Sequence, residues 1–348
     1  MGNIRAGCRF SRPAYLTGTG RVIEIIDLYK YYGERRAVGP LSATIEDGEI
    51  VGLLGLNGAG KTTTLRILAC DLLPTSGSVR VDGIDVVDNP NEVRARTGYL
   101  SEVTPLYSEM TVSEFLGFAA RLRGISTGDV DQRVDEALSV TKTQKVRDQV
   151  IGTLSHGFKQ RTGIAQAIVH GPNLVVLDEP IAGLDPQQIV GMRKLVKSLG
   201  GKHTVLVSSH NLSEISETCD RILVMTDGTI SASGSAQELA ARLLGGMRIR
   251  ITVRQTAERD PRAIQGILEA VAGVRSVGAA PPTEAGEGVL SFTVDAQGDV
   301  REAVSRSLVG AGVPLLELGR TERALESVFL ELAAPEEEGP KPRQEVVT

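Results

Sequence analysis

The stretch Gly55-Leu56-Asn57-Gly58-Ala59-Gly60-Lys61-Thr62 decides the fold of this chain. It matches the pattern G-x-x-x-x-G-K-[S/T] of a phosphate-binding loop. The apolar run over residues 49–54 precedes it and predicts a buried strand, and residues 63–69 after it predict a helix. This order of strand, loop and helix is the structural context that the pattern requires.

The residues of this loop are of the types that hold a phosphate. Glycine lets the backbone wrap around the anion without Cβ clashes, and the N–H groups at the helix N-terminus attract negative charge. Lys61 is expected to reach the β- and γ-phosphates of a nucleotide, and Thr62 to hold Mg²⁺. We therefore expect nucleotide contacts from Gly55, Asn57, Gly58, Ala59, Gly60, Lys61, Thr62 and Thr63.

Length and composition limit the kind of protein. With 348 residues the chain is longer than one average domain, which predicts two. Its net charge of −5 argues against broad binding to nucleic acid or anionic membranes. No apolar run approaches the roughly 18 residues that span a bilayer, and no signal peptide is visible. The three cysteines are far apart, which favours a reducing cytosol without a structural disulfide or zinc.

A helical insert is expected downstream of the loop. Residues 111–124 carry apolar residues at helical spacing, and Thr111 with Glu114 forms a capping box at the start. Residues 129–140 predict a second helix. Further along, Asp227-Gly228 predicts the turn of a hairpin.

The character of the sequence changes near Gly245-Gly246. From there the predicted order is strand, helix, strand, strand, helix, strand, which is the ferredoxin-like arrangement, followed by a helix over 321–332. We therefore expect four segments: a disordered leader over 1–20, the main domain over 21–245, an accessory α/β domain over 247–333 and a disordered acidic tail over 334–348.

Two carboxylates and a histidine follow predicted strands. Asp178 and Glu179 come after the apolar run 173–177. His210 is the last residue of the run 204–210, which predicts another strand. Beside a phosphate loop, Asp178 suits the binding of hydrated Mg²⁺, and Glu179 suits the orientation and deprotonation of the attacking water. His210 suits a hydrogen bond to the γ-phosphate and to the region of Glu179. Each signal alone is weak, because such residues are usually just solvated at a strand end, but their order supports the prediction.

At this point residues 22–245 resemble the ATP-binding-cassette (ABC) family of ATPases. Gly55–Thr62 resembles the Walker A motif of that family, and Leu174–Glu179 resembles Walker B with the catalytic glutamate. Leu154-Ser155-His156-Gly157-Phe158-Lys159-Gln160-Arg161 resembles the signature, which is usually similar to Leu-Ser-Gly-Gly-Gln. Gly183-Leu184-Asp185 resembles the D-loop that follows Walker B.

The resemblance implies an α/β fold, in which a P-loop ABC ATPase domain combines a mixed sheet core with a helical insert. It also implies ATP and Mg²⁺ as cofactors, and a homodimer in which two cassettes pair head to tail around two ATP. The ATP on one Walker A would be capped by Ser155 and Gly157 of the other cassette, with Asp185 also near the nucleotide. Hydrolysis at Glu179 would then release the dimer.

Two further residues receive roles from the resemblance. His210 resembles the switch histidine, so that Lys61, Glu179 and His210 form the expected catalytic set. Tyr32 resembles the aromatic residue that stacks on adenine. Tyr31 is a rival for this role, and the alternative for Tyr32 is packing on the sheet.

Three positions depart from the family pattern. Glu102 stands where the Q-loop usually has Gln; its carboxylate can still bind Mg²⁺ or water, but it adds negative charge beside the phosphates. His156 replaces a glycine of the signature, and we expect its side chain to turn away from the nucleotide and to tolerate substitution. Ile181 replaces the Thr or Ser common after Walker B. None of these changes removes an expected catalytic residue, so hydrolysis is expected.

The C-terminal region, which ends in Leu325–Leu332, is similar to the tails of bacterial and archaeal ABC exporter ATPases. These pair with a separate multi-helix permease of the drug, polysaccharide or gliding-motility type. We therefore expect an exporter motor subunit, cytoplasmic and peripheral on the inner face of the cell membrane. The alternative is a soluble ABC ATPase that acts on nucleic acid or the ribosome without a permease. One cassette, a short insert and net acidity disfavour it, so no nucleic-acid partner is expected.

Overall fold

The computed structural model describes residues 20–243, 247–255, 260–280, 288–296 and 298–320. These residues divide into two compact units, with the division after Ala236. The expected leader, the helix over 321–332 and the acidic tail lie outside the described residues, apart from Gly20. The domain boundary expected near residue 246 stays a prediction, because residues 244–246 are also outside them.

The first unit contains two sheets. Its strands are β1 (Arg21–Tyr32), β2 (Arg35–Glu46), β3 (Ile50–Leu54), β4 (Ser76–Val81), β5 (Ile84–Asp85), β6 (Thr97–Leu100), β7 (Leu174–Leu177), β8 (Thr204–Ser209), β9 (Arg221–Thr226) and β10 (Thr229–Gly234). Its helices are α1 (Lys61–Leu68), α2 (Pro90–Arg96), α3 (Val112–Leu122), α4 (Val130–Thr141), α5 (His156–Ile168), α6 (Pro186–Leu199) and α7 (Leu212–Ser216). Helix α8 (Ala236–Leu243) starts at the division between the units.

The two sheets differ in strand direction. The first is antiparallel with the order β2-β1-β4-β5. The second has the order β10-β9-β3-β8-β7-β6 and is parallel except for the β9–β10 hairpin, whose turn is the predicted Asp227-Gly228. Every residue of β3, β7 and β8 is buried, as expected for central parallel strands. The mixed α/β architecture is therefore as predicted.

Helix α1 joins the cores of the two sheets. Its apolar residues Leu65, Ile67 and Leu68 are fully buried in one cluster with residues from both sheets. The loop before α1 is thereby held at the carboxyl edge of the parallel sheet. Because β3, β8 and β7 are adjacent, the residues that follow them meet at this same edge, which is where open α/β sheets bind ligands.

The helical insert consists of α3 and α4, which pack on each other and on α5. The predicted capping box is present: the Glu114 N–H donates to Thr111 Oγ1 at 3.3 Å, and the Thr111 N–H donates to Glu114 Oε2 at 2.8 Å. The two helices expected over 111–124 and 129–140 are confirmed as α3 and α4. None of the helices in the described residues has the length and apolar character needed to cross a membrane.

The second unit has the expected alternation of elements: β11 (Met247–Arg254), α9 (Pro261–Glu269), β12 (Val274–Ala280), β13 (Val289–Ala296), α10 (Arg301–Gly310) and β14 (Leu315–Arg320). Its sheet is antiparallel with the order β12-β13-β11-β14. One core cluster unites β11 and β13 with the apolar faces of both helices. This is the ferredoxin-like arrangement predicted from the sequence.

Candidate active site

The loop between β3 and α1 depends on glycine at Gly60. Its φ is +98°, and a Cβ at this position would lie 2.6 Å from the carbonyl oxygen of Ala37 in β2. Both observations exclude any other residue without rearrangement. Behind the loop, the Gly228 N–H donates to the carbonyl of Ala59 at 3.1 Å. The loop is thus packed against β2 and the β9–β10 turn, while Asn57 and Gly58 stay exposed.

Lys61, the first residue of α1, is folded onto its own loop. Its ammonium donates to the carbonyls of Gly55 at 2.8 Å and Leu56 at 3.3 Å, and lies 3.5 Å from Glu179 Oε1. The side chain is only 6% exposed, so water screens this ion pair little. A phosphate in the loop would compete with these three oxygens for the ammonium. Thr62 and Thr63, the next residues of the helix, are half-buried.

The carboxylate of Glu179 lies between a lysine and a histidine. Oε1 faces Lys61, and Oε2 is 3.0 Å from Nδ1 of His210. Glu179 is buried, and its φ of +47° places its backbone in the left-handed region, which costs about 1 kcal/mol for a non-glycine residue. Backbone strain of this kind concentrates at functional sites. The structure therefore brings together the three residues of the expected catalytic set.

Asp178 is the other carboxylate at this edge. Its Oδ1 accepts from the Ser208 hydroxyl at 2.6 Å, whereas the buried Oδ2 makes no hydrogen bond of normal geometry within the described residues. Burial raises the pKa of Asp178, the nearby hydroxyls of Ser208 and Thr62 oppose this rise, and the charges of Glu102 and Glu179 add to it. An unpaired buried carboxylate oxygen with a raised pKa is an environment that a cation would stabilise.

Ser208 is a site residue that the sequence reasoning missed. Besides its bond to Asp178, its hydroxyl accepts from the backbone N–H of Glu179 at 2.8 Å, so one side chain holds the Asp178 carboxylate and the Glu179 backbone. A signal was present: Ser208 lies at the carboxyl end of β8, next to the strand that Asp178 and Glu179 follow, which is the edge where ligand-binding residues of parallel sheets collect.

Two expected site residues stand at the edge of this group. Glu102 follows β6 in an exposed loop, and its role as a metal ligand stays a prediction. Tyr32 ends β1 and is 49% exposed, with the Lys30 ammonium 5.4 Å from its ring centroid. The rival ring of Tyr31 is already stacked on Tyr29, with 6.4 Å between centroids. Each ring thus has a partner, Tyr32 is the more exposed of the two, and its role in stacking on adenine stays a prediction.

Ser155, Gly157 and Asp185 lie at the starts of α5 and α6. Ser155 is an exposed N-cap whose hydroxyl makes no capping hydrogen bond. Asp185 caps α6 by accepting from the Gln188 N–H at 2.8 Å. Within the described residues these three share no hydrogen bond with Lys61, Glu179 or His210. They therefore form a second group within the chain.

Gly157 lies against a side chain of its own chain, which the sequence reasoning did not predict. The family resemblance placed Gly157 beside the nucleotide of a facing cassette. In the structure, a Cβ at Gly157 would lie 2.5 Å from Oε1 of Gln188, a residue of the same chain. The end of the Gln188 side chain would therefore have to rotate away before a larger residue fits at position 157.

Comparison with known proteins identifies the family. The ABC transporter family model matches residues 38–182. The bacitracin transport ATP-binding protein BcrA of Bacillus licheniformis is 39% identical over 211 residues, which are 60% of this chain and 68% of that protein. The daunorubicin/doxorubicin resistance ATP-binding protein DrrA of Streptomyces peucetius is 34% identical over 316 residues, or 90% and 92% of the two chains.

Solved structures agree with this assignment. The dimeric structure of MJ0796, a bacterial ABC transporter cassette, is similar to 61% of this chain and 98% of that one, with 26% identity and a TM-score of 0.56. The cassette accounts for the first unit, and the relative DrrA extends the similarity over nearly the whole chain. The chain therefore belongs to the ABC transporter family, as an ATP-binding ATPase subunit.

Proposed function

We propose that this protein is the ATP-hydrolysing motor of an exporter, which dimerises head to tail around two ATP and drives a separate membrane permease. The observation that supports hydrolysis most strongly is the buried carboxylate of Glu179 between Lys61 and His210. Export is supported by relatives that act in bacitracin transport and in daunorubicin/doxorubicin resistance.

Glu179 acts as the general base in this proposal. A phosphate that binds in the loop takes over the ammonium of Lys61, which leaves Glu179 Oε1 free to accept a proton from the attacking water. His210 holds Oε2 at 3.0 Å and thereby keeps the carboxylate oriented. The hydroxyl of Ser208 accepts a hydrogen bond from the backbone N–H of Glu179 and so holds the backbone of this residue. Proteins catalyse phosphoryl transfer mainly by positioning the reactants and by stabilising charge.

Magnesium fits the residues present. Carboxylate and hydroxyl oxygens are the ligands that Mg²⁺ prefers, and Asp178 Oδ2 is buried without a hydrogen bond of normal geometry from the described residues, with the Thr62 hydroxyl nearby. The described residues contain no cluster of three or more His, Cys, Asp or Glu that could hold a metal by itself. Phosphates and water would therefore supply the remaining ligands, as is usual for Mg²⁺. When bound, the ion would neutralise charge that develops on the phosphates.

The dimer explains the second group of residues. Ser155 and Asp185 are exposed at the starts of α5 and α6, and among the described residues they share no hydrogen bond with the catalytic set. The N-terminus of α5, a helix of 13 residues, is a suitable anion site for the nucleotide of a facing cassette. A head-to-tail pair would bring Ser155 of each chain to the ATP on the other.

The permease is expected to dock on the insert side of the cassette, at the cytoplasmic face of the cell membrane. Val103 is 85% and Tyr107 51% exposed in the segment between β6 and α3, and Leu122 is 70% exposed at the end of α3. Exposed apolar residues in one region favour a protein interface.

Crosslinking tests this proposal. Photoreactive groups placed within residues 103–118 of the full chain should crosslink to a co-expressed permease encoded by a neighbouring reading frame. Matched groups in the ferredoxin-like unit should react less. Crosslinks confined to that second unit, or none to a membrane protein at all, would contradict the proposed docking surface.

A further inference from the structure

The inference starts from His156, which replaces a glycine of the family signature and begins α5. Its imidazole is exposed, and Nε2 lies 3.1 Å from the carbonyl oxygen of Ala182. A carbonyl can only accept, so Nε2 carries the proton in this contact, as it does in one neutral tautomer and in the imidazolium. The side chain is therefore engaged within its own chain, at the turn that follows the Walker B residues.

This turn connects the catalytic residue to α6. The Ala182 N–H donates to the carbonyl of Glu179 at 3.2 Å, and the Leu184 N–H donates to the carbonyl of Ile181 at 3.3 Å. The turn ends at Asp185, the N-cap of α6. Ala182 is thus one hydrogen bond away from the backbone of Glu179, and whatever holds the Ala182 carbonyl also limits the movement of Glu179.

Two neighbouring features show that the imidazole is accommodated here. A Cβ at Gly183 would lie 3.3 Å from His156 Nε2, so the ring occupies space beside a residue that has no side chain. One residue further along α5, Gly157 packs against Gln188 of α6. His156 therefore contacts the turn that precedes α6, and Gly157 lies against a side chain of the first turn of α6.

We propose that His156 is a positioning residue for ATP hydrolysis. By holding the Ala182 carbonyl, it fixes the turn between Glu179 and Asp185 to the signature helix, so that binding of a facing nucleotide at Ser155 is transmitted to the general base of the same cassette. This inference rests on the proposed role of Glu179. It replaces the expectation, made from sequence alone, that the His156 side chain plays no part in hydrolysis and tolerates substitution.

Three variants of the full chain separate this role from simple packing. His156→Leu keeps the bulk and removes the donor, whereas His156→Gln keeps an N–H donor on a side chain of similar reach. Lys194→Leu, on the exposed side of α6, is the control for adding an exposed leucine. For each protein, kcat and KM for ATP, the melting temperature and the exchange rates of backbone amides at 181–185 are measured.

The Leu variant should lose about three- to tenfold in kcat, the effect expected of one hydrogen bond. Its KM for ATP and its melting temperature should stay close to those of the parent, while amides 182–184 exchange faster. The Gln variant should recover most of the rate, and Lys194→Leu should match the parent.

The inference is overturned if the Leu variant keeps the kcat and the amide exchange rates of the parent. It is also overturned if the kcat of the Gln variant falls as far as that of the Leu variant. If the parent itself shows no ATP turnover, the proposed function fails instead, and the exchange rates alone decide whether His156 holds the turn.

Discussion

Acid should destabilise the first unit through His170, just after α5. This residue is 9% exposed, and burial, helped by the charge of Arg123, lowers its pKa to about 3. In the unfolded chain the pKa of histidine is about 6.5. Below that pH the unfolded chain binds a proton that the folded chain does not. Stability that is present above pH of about 6.5 is therefore lost progressively as the pH falls towards about 3.

The size of this effect follows from the difference in pKa. Each pH unit between the two pKa values costs about 1.4 kcal/mol, so lowering the pH from about 7.5 to about 5 removes about 2 kcal/mol of unfolding free energy through His170. His170→Gln has no group that titrates in this range. The variant should therefore lose about 2 kcal/mol less than the parent over the same interval.

Urea unfolding, followed by far-ultraviolet circular dichroism at both pH values, measures this difference. Subtracting the variant from the parent removes the contribution of all the other titrating groups. A chain of two units need not unfold in a single step, so only the unfolding transition that differs between the two proteins is compared. If both proteins lose the same free energy on acidification, His170 does not stay neutral in the folded state and the reasoning is wrong.

Three further predictions concern the site and the division of the chain. Glu102→Gln removes a charge that raises the pKa of Asp178, so the acidic limb of the pH–rate profile should move to lower pH; an unmoved limb would contradict the coupling. Gly157→Ala should change the free energy of unfolding by less than about 1 kcal/mol, because alanine favours the helix while the end of the Gln188 side chain can rotate away; a larger loss in urea unfolding would mean that Gln188 is held in place. A chain that ends at residue 246 should bind ATP within about tenfold of the full-length affinity, or about 1.4 kcal/mol, in equilibrium dialysis; a larger loss would assign the second unit a part in the nucleotide site.

Local signals account for what the sequence could predict. The phosphate loop, the capping box at Thr111 and the turn at Asp227-Gly228 each depend on residues within a few positions of one another. The meeting of Asp178, Glu179 and His210 could also be anticipated, because adjacent parallel strands end at one edge of a sheet. The residue types and their order along the chain were sufficient to predict these features.

Other features depend on contacts between distant parts of the chain, and the sequence did not predict them. Gly157 lies against the side chain of Gln188, and His156 forms a hydrogen bond with the carbonyl of Ala182, across 31 and 26 positions respectively. Nothing in the types of these residues marks them as partners. Helix α2 was also missed, since it is short and buries only Val93, which leaves no apolar periodicity to recognise.

Strand β2 contains two residues that local rules do not favour. It runs from Arg35 to Glu46 and includes Gly39 and Pro40, which are both unfavourable in strand interiors. Pairing with β1 runs from Arg35 to Glu46 nevertheless, with several register shifts along the hairpin.

The central claim is that Glu179 is the general base of an ATP-driven dimer, and sedimentation velocity combined with phosphate release tests it most directly. With Mg-ATP, the parent should release phosphate and populate the dimer only transiently. Glu179→Gln should bind ATP, release little phosphate and accumulate as a dimer, whereas Lys61→Ala should lose ATP binding and stay monomeric. A Glu179→Gln protein that releases phosphate at the parental rate, or that stays monomeric with ATP bound, would contradict the account.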